Sequence, residues 1–206
     1  MSVFAKHPLQ RPQIDADGAW NFFGGDFKTY FIQSDEKSFT SRQIFKAGSP
    51  HTGVGRQSTA TPPYHWHLYQ TETFDVKSGS LCYFLDGKEG KLAAGQKVVI
   101  PPYVPHTFWN DPTAGTDLDV HITVAGGPNP GFDETFVHNF YGYLSSCTMQ
   151  NLAPNVFQML KFMDSADVVL MDFPFSSGRV ANVLLGRWIG GYLGGYEAEY
   201  KEFRED

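Results

Sequence analysis

The protein has 206 residues, a length that suits one domain or a domain with an appendage. A hydrophobic fraction of 41% is sufficient for a folded core, and 16 basic against 22 acidic residues give a net charge of −6. Because no basic run stands out, the composition argues against a nucleic-acid partner.

The first 25 residues combine prolines with aromatic residues, and we expect them to form an extended arm packed on the domain, or, as an alternative, an arm exchanged between subunits. They contain no apolar run of the length of a signal peptide. The two cysteines, Cys82 and Cys147, follow neither a paired nor a metal-type spacing. We therefore predict a buried, reduced Cys82 and a cytoplasmic location.

Strands are predicted over residues 28–32 and 39–45, and a loop rich in Gly, Pro, Ser and Thr follows over residues 48–63. The next strand contains His65 and His67. Because alternate side chains of a strand point to the same face, both imidazoles are expected to point the same way.

The following run places Glu72 on the same strand face as Phe74 and Val76, which is the apolar and therefore buried face. A buried carboxylate is costly unless it is paired or binds a metal. The next strand, residues 81–85, ends at Asp86-Gly87, a dipeptide typical of a tight hairpin.

A further strand, residues 97–100, is broken by two prolines, and His106 begins the next one. A barrel of these strands would bring four side chains to one interior point: His65, His67, Glu72 and His106. Three imidazoles and one carboxylate suit Fe, Mn, Ni, Cu or Zn, so the donor set leaves the identity of the divalent transition metal open. The alternative is that these groups pair with one another and hold no metal.

Eight positions of the chain fit two known motifs. The pattern G-x5-H-x-H-x(3,4)-E-x6-G is matched by His65, His67, Glu72 and Gly79, and the pattern G-x5-P-x-G-x2-H-x3-N by Gly95, Pro101, His106 and Asn110. Thr59 and Tyr103 replace two motif glycines, and neither position is a ligand. In these residues the chain resembles the cupin superfamily.

The resemblance implies a mainly β fold, a cupin-type jelly-roll barrel (double-stranded β-helix), with a metal bound at the catalytic centre. The catalytic and metal-binding residues expected from it are His65, His67, Glu72 and His106. Abundant aromatic residues near the motifs predict a lined cavity for a small organic substrate. The predicted pocket residues are Tyr64, Phe74, Tyr83, Phe108 and His121.

Residues 118–124 predict one more strand, with Leu118, Val120, Ile122 and Val124 on its apolar face. His121 lies on the polar face. It either points to solvent or acts as a base beside the cavity. The Gly-Pro segment at 126–128 then ends the predicted barrel, so that residues 1–127 form the arm and barrel.

Residues 128–206 predict a helical C-terminal extension packed on the barrel. One helix carries Phe132, Phe136 and Phe140 at helical spacing, a second follows Pro154, and a third runs from Val180 to about Leu193. The third is too short and too interrupted by glycine for a membrane span, so a membrane partner is not expected. The helices either brace the barrel or form a homodimer surface.

Three functions are compatible with these residues. The first is a metal-dependent oxidoreductase, such as a dioxygenase, acting on a small aromatic or enolic molecule that binds the cation through oxygen. The second is a redox-neutral isomerase, cyclase or decarboxylase that stabilises an enolate. The third is a non-catalytic binding protein, against which the complete ligand set argues. The resemblance implies secondary metabolism for either chemistry.

Overall fold

The computed structural model describes residue 4 and residues 6–126, 132–173 and 177–204. Within these ranges twelve strands precede or separate three helical segments. The strands, in chain order, are β1 (Gln13–Ile14), β2 (Trp20–Phe22), β3 (Phe27–Ser34), β4 (Ser38–Phe45), β5 (His65–His67), β6 (Thr71–Ser78), β7 (Ser80–Leu85), β8 (Lys88–Ala93), β9 (Lys97–Ile100), β10 (His106–Asn110), β11 (Leu118–Ala125) and β12 (Val168–Leu170).

The strands form two antiparallel sheets. The first has the order β1-β2-β3-β4-β11-β6-β9, and the second has the order β12-β5-β10-β7-β8. Aromatic rings join the two sheets, since Phe108 of β10 lies 4.6 Å from Phe74 of β6 and 5.7 Å from Phe45 of β4. The predicted mainly β jelly-roll architecture, with helices toward the C-terminus, is confirmed.

The alternation read from the sequence sets the inner face of the first sheet. Along β11 the residues Leu118, Val120, Ile122 and Val124 are buried, and the residues between them are partly exposed. Its neighbour β6 buries Glu72, Phe74 and Val76 in the same way. On these two strands the Glu72 carboxylate therefore enters an otherwise apolar face.

A turn at Gly79 joins the two sheets. Its φ of +77° lies in the left-handed region, and a Cβ at this position would approach the backbone oxygen of Asp117 to 2.3 Å. Only glycine meets both conditions. The predicted hairpin at Asp86-Gly87 is also present, because Leu85 of β7 pairs with Lys88 of β8.

The helical segments are α1 (Glu134–Met149), α2 (Val156–Ser165) and α3 (Gly178–Ala181), and α3 continues directly as a π-helix over Asn182–Leu193. Asp133 caps α1 by accepting a hydrogen bond from the Phe136 amide, and Asn155 caps α2 in the same way. Gly186 lets the π-helix lie against the backbone of α2, where a Cβ would approach the Leu160 backbone to 2.5 Å. None of the helices among the described residues has the length and apolarity to span a membrane.

The structure differs from the sequence-based expectation at both ends of the barrel. Part of the predicted N-terminal arm forms the edge strand β1 and its neighbour β2, and the C-terminal extension is not wholly helical, because β12 joins the second sheet beside β5. The domain boundary predicted at residues 127 and 128 lies outside the described residues. Both cysteines are unpaired, and Cys82 is only partly buried.

Candidate metal centre and cavity

Four side chains from three strands converge at one interior point. His65 and His67 lie on β5, His106 begins β10 and pairs in register with His65, and Glu72 comes from β6 in the other sheet. All four are buried, and each offers a donor atom that lies within 4.8 Å of the others. The structure therefore brings together all four residues predicted as ligands.

Backbone carbonyls orient two of the imidazoles. The Nδ1 atom of His65 donates to the Pro63 carbonyl at 2.7 Å, and that of His106 donates to the Val104 carbonyl at 2.9 Å. Pro62, next to Pro63, is itself fixed by the Thr107 hydroxyl at 2.6 Å. Each ring thus presents Nε2 to the cluster, the arrangement that a metal-binding histidine needs.

Tyr103 occupies the position of a motif glycine and retains the backbone conformation of one. Its φ of +66° is left-handed, and its amide donates to the His67 carbonyl at 2.9 Å. Its exposed ring lies 5.2 Å from that of Trp66. The tyrosine therefore leaves the turn before His106 intact.

The His67 ring tests whether the cluster fits a cation. Both of its nitrogens are buried, and neither has a hydrogen-bond partner among the described residues. A buried polar atom without a partner costs about 1–3 kcal/mol. Its Nε2 lies 3.5 Å from Glu72 Oε2, in the direction of the other donors. A cation bound at Nε2 would give this nitrogen a partner, so the side chain fits a metal site.

The charges of the cluster also suit a cation. Burial alone would raise the pKa of Glu72, but the hydrogen bond with His106 and the nearby charges of His106 and His67 outweigh it and lower that pKa. Burial, followed by repulsion from His106 and His67, holds the pKa of His65 well below its ordinary value. An ionised carboxylate beside a neutral imidazole is the protonation state in which these groups bind a metal.

The spacing is close to that of a coordination sphere. Two ligands at about 2.1 Å from one ion are at most about 4.2 Å apart, and the four donors here lie within 4.8 Å. Shifts of about 0.3 Å in each side chain would close the difference. The residues therefore fit a divalent transition metal.

A cavity of about 40 Å³ opens beside His65 and Glu72. Among the described residues its other walls are mostly apolar and come from the barrel, from α1 and α2, and from β12. They include Phe108, Ile122, Phe136, Phe140, Met163 and Val168. A volume of this size holds only a few water molecules, so a ring-sized ligand enters if wall side chains move outward.

Of the predicted pocket residues, Phe108 lines this cavity, and the other four do not. Phe74 is fully buried 4.6 Å from Phe108 and supports the wall from behind. Tyr83 lies opposite Phe108 in the β7–β10 pairing and is partly buried against the core. Tyr64 faces Phe84 and Arg56 instead of the cavity.

His121 lies outside this cavity. It lies on the outer face of β11, where its cross-strand neighbours are Arg42 and Asp75. The same alternation that buries Val120 and Ile122 turns His121 away from the cavity. Of the two alternatives for this residue, the solvent-facing strand is the one observed.

The residues that sequence reasoning missed come from outside the two motifs. Helix α1 contributes Phe136, Phe140 and Tyr141 to the cavity, and β4 contributes Gln43. The spacing of the phenylalanines identified a helix face in the sequence, but not what it packs against. Strand β12 was missed because three residues are too few to show a period.

Comparison with known proteins agrees with the geometry. Residues 54–121 match the family model described as "Cupin domain", a range that contains all four residues of the cluster. The probable oxidoreductase virH of Hypocrea virens is 29% identical over 202 residues, which cover 95% of this chain and 91% of that protein.

Two other relatives are longer than this chain. The probable oxidoreductase patJ of Aspergillus clavatus is 26% identical over 206 residues, covering 89% of this chain and 62% of that protein. The epoxidase atD of Aspergillus terreus is 28% identical over 152 residues, covering 70% of this chain and 47% of the epoxidase. The match to the cupin domain model, on a jelly-roll fold with the motif residues gathered at its centre, identifies a cupin domain over residues 54–121.

Proposed function

We propose that the protein is a metal-dependent oxidoreductase that acts on a small aromatic or enolic molecule bound in the cavity beside His65 and Glu72. The observation that carries the proposal is the joint placement of the ligand cluster and an apolar cavity: two of the four donor residues line the same space as the aromatic wall. A substrate in this cavity would lie next to a bound cation.

The chain's own residues would hold the cation and orient the substrate. The cation would be held by His65, His67, Glu72 and His106. When bound, a divalent metal ion would supply Lewis acidity and, if it is redox-active, a route for electrons from the substrate to an oxidant such as O₂. One carboxylate among the donors leaves a net positive charge, which favours an anionic oxygen of an enolate or a catecholate.

The aromatic wall would exclude water from this chemistry. Phe108, Phe136 and Phe140 are buried and line the cavity. Apolar walls of this kind stabilise a ring and strengthen the electrostatic interactions at its polar end. The names of the relatives support an oxidation, because virH and patJ are described as probable oxidoreductases and atD as an epoxidase.

The test is oxygen uptake by the metal-loaded protein in the presence of a panel of catechols and hydroquinones. We expect uptake that depends on the metal, and its loss in His65→Ala and His106→Ala. His121→Ala is the matched control, because this histidine lies outside the cavity on β11. It should retain uptake.

An oxygen-free assay separates this proposal from redox-neutral chemistry. If product still forms at the same rate without O₂ or another oxidant, the protein is an isomerase, cyclase or decarboxylase, and the oxidoreductase proposal is wrong. If the histidine variants turn over as fast as the natural protein, the assigned site is wrong.

A further inference from the structure

The cavity contains two polar side chains that are not part of the ligand cluster. Gln43 on β4 and Tyr141 on α1 both line it. They are 4% and 7% exposed. In a wall that is otherwise aromatic and aliphatic, buried polar groups of this kind normally find partners within the protein.

Gln43 has one polar atom without a partner. Its amide nitrogen donates to the Ser41 hydroxyl at 3.2 Å, and its Oε1 atom has no partner among the described residues. Exchanging the amide nitrogen and oxygen of Gln43 would still leave one of them without a partner, because only one of the two lies within hydrogen-bond distance of the Ser41 hydroxyl. The other atom is a buried polar group that a ligand can satisfy.

Tyr141 brings a second polar atom to the cavity. Its ring is held by Phe27 at 4.6 Å and by Phe140 at 5.1 Å, and no hydrogen bond contributes to the pKa of its hydroxyl. Burial, followed by the charge of Glu72, raises the pKa of Tyr141. The hydroxyl therefore stays protonated and can donate.

We infer that Gln43 and Tyr141 form a specificity-determining subsite for a hydroxyl group of the substrate, separate from the oxygens that meet the metal. A hydroxyl suits both residues, because it can accept from the Tyr141 hydroxyl and donate to Gln43 Oε1. Both side chains line the same cavity, so one ligand in it can meet both. The inference rests on the proposed function and narrows its substrate class to hydroxyl-substituted aromatic compounds.

The experiment compares matched ligands on the protein loaded with Zn(II), which has no redox chemistry. The ligands are 3- and 4-(hydroxymethyl)catechol and 3- and 4-ethylcatechol, which differ at the substituent only by a hydroxyl in place of a methyl group. Dissociation constants are measured by calorimetry for the natural protein, Tyr141→Phe and Gln43→Met. The preference is the ratio of the dissociation constant of the ethylcatechol to that of the hydroxymethylcatechol with the same ring position. We expect this ratio to fall about three- to tenfold in each variant, at one ring position or both.

Tyr143→Phe is the matched control on the same helix. The Tyr143 hydroxyl accepts a hydrogen bond from the Asn155 amide at 3.0 Å, so it stabilises the folded protein. This variant should keep the ligand preference and lose about 2–4 °C in Tm. Tyr141→Phe should lose the preference with little or no loss in Tm, because its hydroxyl has no partner to lose.

An unchanged preference in both Tyr141→Phe and Gln43→Met would overturn the subsite, and so would a loss in Tm for Tyr141→Phe as large as that for Tyr143→Phe. Failure of the metal proposal is a different result, in which each catechol has the same dissociation constant with and without Zn(II). The substituent preference remains measurable in that case, because it compares ligands on the same protein.

Discussion

The replacement of Glu72 by glutamine tests whether this carboxylate is ionised and shared by the histidines. Glu72 is 3% exposed, and its Oε2 lies 2.7 Å from His106 Nε2 and 3.5 Å from His67 Nε2. A hydrogen bond that involves a charge contributes about 1.5–3 kcal/mol, and a neutral one about 0.5–1.5 kcal/mol. Glu72→Gln keeps the shape and the acceptor, so it should lower the free energy of unfolding of the metal-free protein by about 1–1.5 kcal/mol.

Glu72→Ala should cost more, about 3–5 kcal/mol, because it leaves the buried His106 without its partner. The pKa of Glu72 is lowered in the folded protein. Its contribution is therefore fully present above the ordinary carboxyl pKa and is lost as the pH falls toward the folded value. The difference between the natural protein and Glu72→Gln should shrink on acidification.

The assay is urea unfolding of chelator-treated protein, repeated with an added divalent metal. A ligand present at a thousand times its Kd stabilises the folded state by about 4 kcal/mol, and both Glu72 variants should lose most of this gain. Asp75→Asn is the control, because Asp75 lies on the outer face of the same strand and pairs with Lys77 at 2.8 Å. Equal stability and equal metal stabilisation of Glu72→Gln and the natural protein would refute the reasoning.

Three other predictions concern the surroundings of the site. Burial lowers the pKa of His138 to about 3, so below about pH 6.5 the unfolded chain binds a proton that the folded chain does not. Between pH 7.5 and 5 the free energy of unfolding, measured with urea, should therefore fall by about 2 kcal/mol less in His138→Gln than in the natural protein. Equal falls in both proteins would contradict this. Phe136→Ala should lower the free energy of unfolding by about 3 kcal/mol, because it enlarges the cavity. Benzene should fill the enlarged cavity and raise the Tm of this variant in a thermal melt, and an unchanged Tm would mean that Phe136 does not line the cavity. Asp164 is buried between Arg179 and Arg187, at 3.1 and 2.7 Å. Asp164→Ala should lower the free energy of unfolding by about 2–3 kcal/mol, and an unchanged value would contradict a structural role.

Much of the barrel interior could be predicted from strand alternation. The two-residue period placed His65 and His67 on one face and buried Glu72 with Phe74, and the motif spacing connected them to His106. The face of each side chain follows from the alternation along a strand, so it can be predicted from the sequence without knowledge of the tertiary packing. The same period was sufficient to place His121 on the outside, and its assignment to the pocket set that rule aside.

The cavity wall could not be predicted in this way. Tyr141 and Val168 reach the cavity because α1 and β12 pack against the barrel, and this packing depends on contacts between residues far apart in the chain. Tyr83 has the strand parity of Leu81, yet it packs against the core without reaching the cavity. Parity gives the face of a side chain, and only tertiary packing gives the space that it meets.

Elemental analysis of the protein purified without added metal tests the central claim most directly. If His65, His67, Glu72 and His106 converge on one cation, the natural protein and His121→Ala should each bind about one transition-metal ion per chain, and His106→Ala should bind far less. The same metal content in His106→Ala and in the natural protein would contradict the account.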